Sequence, residues 1–228
     1  MQQNLDLFKK NVYSQNGEDG IIQQLLVSLN ITSLDNPWCV EFGAWDGKHL
    51  SNTFNLVESG GWNAVYIEAD SQRFADLLET VQEFEKIIPV NAFVEYNNYS
   101  ENSLTNILKT TAIPRGFELL SIDIDSFDLD IWESLDATLY NPKIVVIEIN
   151  SSAVPGLLWR HTPQTQGNTF SSTIKVAEEK GYTLVCHTGN LIFVRSDLIG
   201  LVKIDNRFIK YPELLFRVVE RLYINSSS

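Results

Sequence analysis

The stretch that decides the fold is Cys39-Val40-Glu41-Phe42-Gly43-Ala44-Trp45-Asp46-Gly47. Its first four residues read as a short buried strand, and its two glycines as the turn that follows. A glycine turn at a strand end lets backbone approach a ligand closely, because no Cβ stands in the way. Glu41 closes the strand, and a second acid, Glu68, closes the next one in Val65-Tyr66-Ile67-Glu68. An acid after the second strand suits hydrogen bonding to a ribose diol. The two features together predict a ligand that carries a nucleoside.

Outward from this turn, strands and helices alternate. Upstream, Asn16-Gly17-Glu18-Asp19 reads as a helix start with acids in the first turn, and Ile21, Ile22, Leu25, Leu26 and Leu29 follow at helical spacing. Downstream the pattern predicts strands at 38–42, 64–68, 87–94, 117–124 and 143–149. Helices at 50–59, 71–81, 100–109, 129–139 and 169–180 fall between or after them. Strands at 182–187 and 191–195 are joined by Thr188-Gly189-Asn190, a link so short that the pair must be antiparallel. The runs Val65-Tyr66-Ile67 and Ile144-Val145-Val146-Ile147 are continuously apolar, as strands buried on both faces require. The fold class is therefore α/β: a Rossmann-like, seven-stranded, mostly parallel sheet closed by a C-terminal antiparallel hairpin, with helices on both faces. The reading is one domain, with an N-terminal helical segment at 1–35, a core at 36–195 and a tail at 196–228. The tail is expected to form a helix at Pro212–Leu222 and to fray at Ser226-Ser227-Ser228. The irregular stretch Asn150–Asn168 reads as a functional loop rather than a linker.

In an open parallel sheet the ligand binds beyond the carboxyl ends of the strands. That edge collects Gly43 to His49, Glu68-Ala69-Asp70, Asn91-Ala92-Phe93, Asp123 to Asp128, Glu148-Ile149-Asn150, and His187 with Asn190 from the hairpin. His49, His161 and His187, all the histidines of the chain, fall in or beside loops there. The first turn lacks Gly-x-Gly-x-x-Gly, and no Gly-x-x-x-x-Gly-Lys-[Ser/Thr] occurs, so a dinucleotide site and a P-loop are both excluded. What fits is a ligand with a ribose and no pyrophosphate, and S-adenosylmethionine meets that description.

Several segments resemble the class I S-adenosylmethionine-dependent methyltransferases, and more narrowly the FkbM-type methyltransferases. They are Glu41-Phe-Gly-Ala-Trp-Asp-Gly47, Ser51-Asn52-Thr53, Tyr66-Ile-Glu68, Leu120-Ser-Ile-Asp-Ile-Asp125, Val145-Val-Ile-Glu-Ile-Asn150 and the last hairpin, spanning about residues 14 to 195. The resemblance implies that Glu41, Gly43 and Gly47, with Ala44 and Trp45 in the same turn, meet the methionine part of the cofactor. Glu68, beside Ala69, would hold the ribose, Asn91, Ala92 and Phe93 would lie near adenine, and Asp123 near the reacting methyl group. The chain departs from that family after the fourth strand, where Asp125-Ser126-Phe127-Asp128 replaces the usual Glu-Gly pair. Ser14-Gln-Asn-Gly-Glu-Asp-Gly20 looks like a signature of relatives near polysaccharide genes and has no assigned role.

On a strand, residues two apart share a face, so Asp123 with Asp125 and Glu148 with Asn150 are predicted to face a common spot. Converging carboxylates repel unless a cation joins them, and oxygen ligands suit magnesium, calcium or manganese. Asp123, Asp125, Glu148 and His187 are the predicted metal ligands. Asp123, His187 and His161 are the candidate catalytic residues, while Asp128 reads as the N-cap of the following helix.

The expected activity is O-methylation of a sugar or surface-glycan precursor, with possible metal assistance. Methyl transfer to an amine, a carboxylate or a phosphorus-linked oxygen, and a non-catalytic binding domain of the same fold, are the alternatives. The formal net charge of −12 argues against nucleic acid and for a small-molecule or glycan acceptor. No apolar run approaches the roughly 20 residues of a membrane helix, and no signal peptide is visible. Two cysteines, Cys39 and Cys186, fall in predicted strands and read as buried free thiols, which suits the cytoplasm. The acidic surface and irregular tail permit a homodimer.

Overall fold

The computed structural model describes residues 4–218. One sheet of seven strands runs through it in the order β3-β2-β1-β4-β5-β7-β6. The strands are β1 (Trp38–Phe42), β2 (Asn63–Glu68), β3 (Ile87–Asn91), β4 (Leu119–Ile122), β5 (Ile144–Glu148), β6 (Tyr182–His187) and β7 (Asn190–Arg195). The first five run parallel, and β7 lies antiparallel between β5 and β6. The helices are α1 (Glu18–Ser28), α2 (Phe54–Gly60), α3 (Ser71–Glu83), α4 (Leu104–Lys109), α5 (Asp128–Ser134), α6 (Phe170–Glu179) and α7 (Asn206–Lys210).

Alternate residues of each central strand feed two separate cores. Val40, Phe42, Leu120, Ile122, Val145 and Ile147 pack on one face with Leu104 and Leu108 of α4, Trp132 of α5 and Phe170 and Val176 of α6. Cys39, Tyr66, Leu119, Ile144 and Val146 pack on the other with Ile21 and Leu25 of α1, Phe54 of α2 and Leu77 of α3. Burial on both faces is why these strands lack polar alternation. The predicted α/β architecture, the parallel majority and the closing hairpin are all observed. Cys39 and Cys186 are buried and free of any disulfide, and burial pushes the Cys186 thiol up to about 12.

Several predicted boundaries shift, some of them because a side chain claims backbone from the regular element. The helix expected from Leu50 begins only at Phe54, because Ser51, Asn52 and Thr53 turn inward towards Glu41. The strand expected over 117–124 stops at Ile122, and Asp125 takes a left-handed φ of 57°. β3 stops at Asn91, whose side-chain amide donates to the Glu68 carbonyl. The helix expected to end at Leu139 ends at Ser134, and Asp128 is its first residue rather than its cap; its carboxylate accepts from Ile124 and Ser126 N–H. In the tail, Pro212–Leu215 is a 3-10 turn followed by extended chain, and α7 precedes it. The remainder of the expected tail helix and the serine end lie outside the described residues.

The structure supplies a role for Ser14–Gly20. Asp19 accepts from the N–H groups of Val12, Tyr13 and Ser14 at 2.8–3.0 Å. Glu18, fully buried, accepts from Asn16 N–H, from Thr188 Oγ1 at 2.5 Å and from Asn190 Nδ2 at 3.3 Å. The segment thus fastens the start of α1 to the β6–β7 turn. Gly20 lets α1 lie against residues 8–10, since a Cβ there would stand 2.0 Å from the Phe8 carbonyl oxygen. Helix propensity alone favours Gly20→Ala by about 1 kcal/mol. We predict the opposite sign, a loss of about 2 kcal/mol from the clash with fixed backbone, read as a lower urea midpoint.

Candidate active site

The turn after β1 is stitched to the end of β2 by backbone. Gly43 and Ala44 N–H both donate to the Ile67 carbonyl at 3.1 Å. Trp45 N–H donates to Glu68 Oε2 and Asp70 N–H to Glu68 Oε1, each at 2.8 Å. Gly43 has φ 79°, and a Cβ there would stand 1.9 Å from the Asp123 carbonyl oxygen, so only glycine allows the β1 and β4 exits to touch. Gly47 is also left-handed, at φ 82°. The Trp45 ring is 39% exposed, with the Arg73 guanidinium 3.8 Å over its face.

Next to Glu68, the Ala92 N–H and the Asn91 side chain donate to its carbonyl, and Asn91 also reaches the Ala69 carbonyl. Phe93 follows, 66% exposed. Trp45, Glu68, Ala69, Asn91, Ala92 and Phe93 therefore lie along one stretch of the sheet's carboxyl edge. The acceptor chemistry suits ribose hydroxyls: Glu68, 5% exposed, uses two of a carboxylate's roughly four acceptor positions on backbone N–H groups. Of the cations flanking the turn, Lys48 pairs with Glu83 and Arg73 stacks on Trp45, so neither forms a phosphate cradle.

Glu41 is placed differently from the expectation. It is 4% exposed and both its oxygens are taken by the chain itself. Ser51 Oγ donates at 2.5 Å, Thr53 Oγ1 at 2.6 Å, Asn52 N–H at 2.9 Å and Ser121 Oγ at 3.5 Å. Burial pushes its carboxyl above the usual range, and these donors pull it back. Glu41 shapes the turn from behind rather than reaching for a ligand.

The acids do converge. One carboxylate oxygen each from Asp123, Asp125 and Glu148 lies within 4.8 Å of the others. Strand alternation is not the cause, because β4 has ended; the left-handed Asp125 turns its N–H onto Glu148 Oε2 at 3.2 Å. Asp128, 1% exposed, holds this loop from below, and burial raises its carboxyl. Asn150 is not in the cluster. It braces the 150–168 loop, its N–H donating to Asn168 O and its Nδ2 to Gln166 O.

The histidines separate. His187 is 1% exposed and stacks on Phe216. Its Nδ1 accepts from Arg217 N–H at 3.0 Å, so the neutral ring carries its proton on Nε2, which donates to Ser151 Oγ at 3.0 Å. With both nitrogens committed, His187 joins neither the acid cluster nor any exposed proton path, and the ligand and base roles expected for it are not supported. His161 is half-buried and its Nδ1 accepts from Gly167 N–H at 3.2 Å. It lies near the acids, since Gly167 lines a small pocket with Asp125, Glu148 and Asn150. In the neutral ring its proton also sits on Nε2, which makes that nitrogen a donor rather than a base. His49 is exposed and packs on Trp45.

Two positioning features carried no sequence signal. Arg160 clamps the long loop to α5 through Asp130 at 2.9 Å and both Glu133 oxygens. Asn168, fully buried, accepts from His161 N–H and donates to Ser126 O, joining the β4 and β5 exits.

The fold as a whole matches known structures. The fold is that of the class I methyltransferases. The citrinin polyketide synthase CMeT domain superimposes with a TM-score of 0.52 at 12% identity, over 81% of this chain and 54% of that one. The METTL16 MTase domain gives 0.50 at 12% identity, over 82% of this chain and 70% of that one. This chain thus spans about half the length of the first. No family model and no curated protein matches the sequence.

Burial, with Lys9 nearby, lowers the His187 pKa from 6.5 to about 4. The unfolded chain therefore takes up this proton first as pH falls. Above pH 6.5 the group is neutral in both states and has no effect; between 6.5 and 4 it destabilises the fold, by roughly 3 kcal/mol in full. His187→Gln is expected to remove that share of the acid-side slope when urea midpoints are compared from pH 7.5 to 4.5.

Proposed function

We propose that this chain is an S-adenosylmethionine-dependent methyltransferase acting on a hydroxyl of a sugar or glycan precursor, in the manner of the FkbM-type enzymes it resembles. The observation that carries the reading is the shared edge. The Glu68-held glycine turn and the Asp123–Asp125–Glu148 cluster flank each other where β1 and β4 exit, joined at the Gly43–Asp123 contact. Glu68 would hold the ribose hydroxyls, Phe93 would pack on adenine, and the turn from Gly43 to Gly47 would face the methionine part. The bound cofactor would supply an electrophilic methyl group.

The rest is done by the chain. The edge orients the acceptor oxygen, and a carboxylate takes its proton, since neither buried His187 nor Nε2-protonated His161 is placed to do so. Asp123 is the proposed base. Asp123, Asp125 and Glu148 also form a hard-oxygen set that fits magnesium or manganese, which would lower the pKa of a coordinated hydroxyl. Among the described residues no helix is long and apolar enough to cross a membrane. Two reduced, buried thiols suit a cytoplasmic setting.

Isothermal titration with S-adenosylhomocysteine tests the cofactor half: micromolar binding is expected, and absence of heat for the folded protein would end this reading. Glu68→Ala should weaken that binding about 10- to 100-fold, the worth of hydrogen bonds to a charged acceptor. The metal half has its own readout. Magnesium or manganese should raise the melting temperature of the wild type and not of Asp125→Asn; equal shifts in both would remove the cation and leave methyl transfer standing.

A further inference from the structure

Three connections on the carboxyl edge each contribute one ring to a continuous wall beside the acids. Tyr96 comes from the segment after β3, Phe127 from that after β4, and His161 from that after β5. Tyr96 and Phe127 have ring centroids 5.1 Å apart with planes tilted by 41°, and Phe127 and His161 meet edge to face at 4.8 Å and 68°, so the wall is a row of inclined rings rather than one plane. Tyr96 is 51% exposed, while Phe127 and His161 are half-buried. Phe127 lies two residues beyond Asp125, and His161 hydrogen-bonds Gly167 of the pocket that Asp125 and Glu148 line. The wall is braced from below: Asn168 ties His161 N–H to the Ser126 carbonyl, and Arg160 ties the neighbouring residue to α5.

We propose that this wall is the acceptor subsite and that it takes the face of an uncharged pyranose ring. The inference rests on the methyl-transfer reading and deepens it. The C–H face of a pyranose is apolar and flat enough to lie on aromatic rings, while its rim carries hydroxyls. The acids beside the wall accept hydrogen bonds from that rim, and the His161 Nε2–H donates to one of its oxygens. A purely apolar ring would form none of these hydrogen bonds. With no cation added to the cluster, a phosphorylated or carboxylated sugar would meet three carboxylates at close range. Among rings of similar size, only a neutral polyhydroxylated one matches both halves of the site.

Saturation-transfer NMR on the wild-type chain saturated with S-adenosylhomocysteine provides the test. The probes are D-glucose, D-galactose, D-mannose, L-rhamnose and L-fucose, with glucose 6-phosphate and cyclohexanol beside them. At least one neutral sugar is expected to receive saturation on its ring C–H protons, at least fivefold above glucose 6-phosphate and cyclohexanol. Tyr96→Ala, which removes an exposed side chain, and Phe127→Ala should each cut that signal at least fivefold. His161→Gln, which keeps a side-chain donor, should retain more of it than His161→Ala. Saturation of no neutral sugar, or a signal unchanged in Tyr96→Ala, overturns the proposal. The cofactor titration separates the two failures: binding of S-adenosylhomocysteine with no sugar contact sinks the subsite alone.

Discussion

The site depends on a buried carboxylate that never meets solvent. Glu41 lies in register between Tyr66 of β2 and Ser121 of β4, inside the core. An ionised carboxylate in such a place is tolerable only if it is hydrogen-bonded, and bonds to a charged acceptor contribute about 1.5–3 kcal/mol each. Ser51, Asn52 and Thr53 supply three of the donors and Ser121 the fourth, while the Tyr66 hydroxyl donates to Thr53 Oγ1 and Asn52 to Ser121. The Glu41 carboxylate therefore fixes the path of residues 43–53. The glycine turn sits where it does because the segment after it is drawn inward to satisfy this one group.

From that anchor the edge divides by chemistry. On one side backbone N–H groups claim Glu68 and leave an acceptor-rich stretch flanked by Trp45 and Phe93. On the other, three carboxylates gather without a histidine among them. Both edge histidines beyond the turn accept a backbone N–H on Nδ1, which fixes where the proton of the neutral ring resides.

The fold was legible because it is written in periodicities. Continuous apolar strands, amphipathic helices and a three-residue hairpin link specify the sheet almost completely. The acid cluster was legible too, although for an incomplete reason: register arguments put Asp125 on a strand face, whereas a left-handed turn delivers it. What escaped depends on contacts distant in sequence. Glu41 looks like any acid at a strand end until Ser121 and the 51–53 segment are seen around it. His187 reads as a site residue by position, yet Phe216 and the Arg217 backbone bury it, and no local pattern announces that. Arg160 and Asn168 are ordinary polar loop residues until their partners across the β4 exit are known.

The Glu18 contact carries a consequence for how the chain reaches this state. Residue 18 is completed by residues 188 and 190, and β7 must slip between β5 and β6 before the sheet closes. Contacts this far apart in sequence slow folding, because loop entropy is lost before they form. During synthesis α1 emerges first, and its buried carboxylate must wait for one of the last strands to be made. Until the hairpin docks, Glu18 stays solvated and the sheet keeps an open edge at β5. The Glu18 contacts thus make the burial of the start of α1 and the docking of the hairpin one structural commitment.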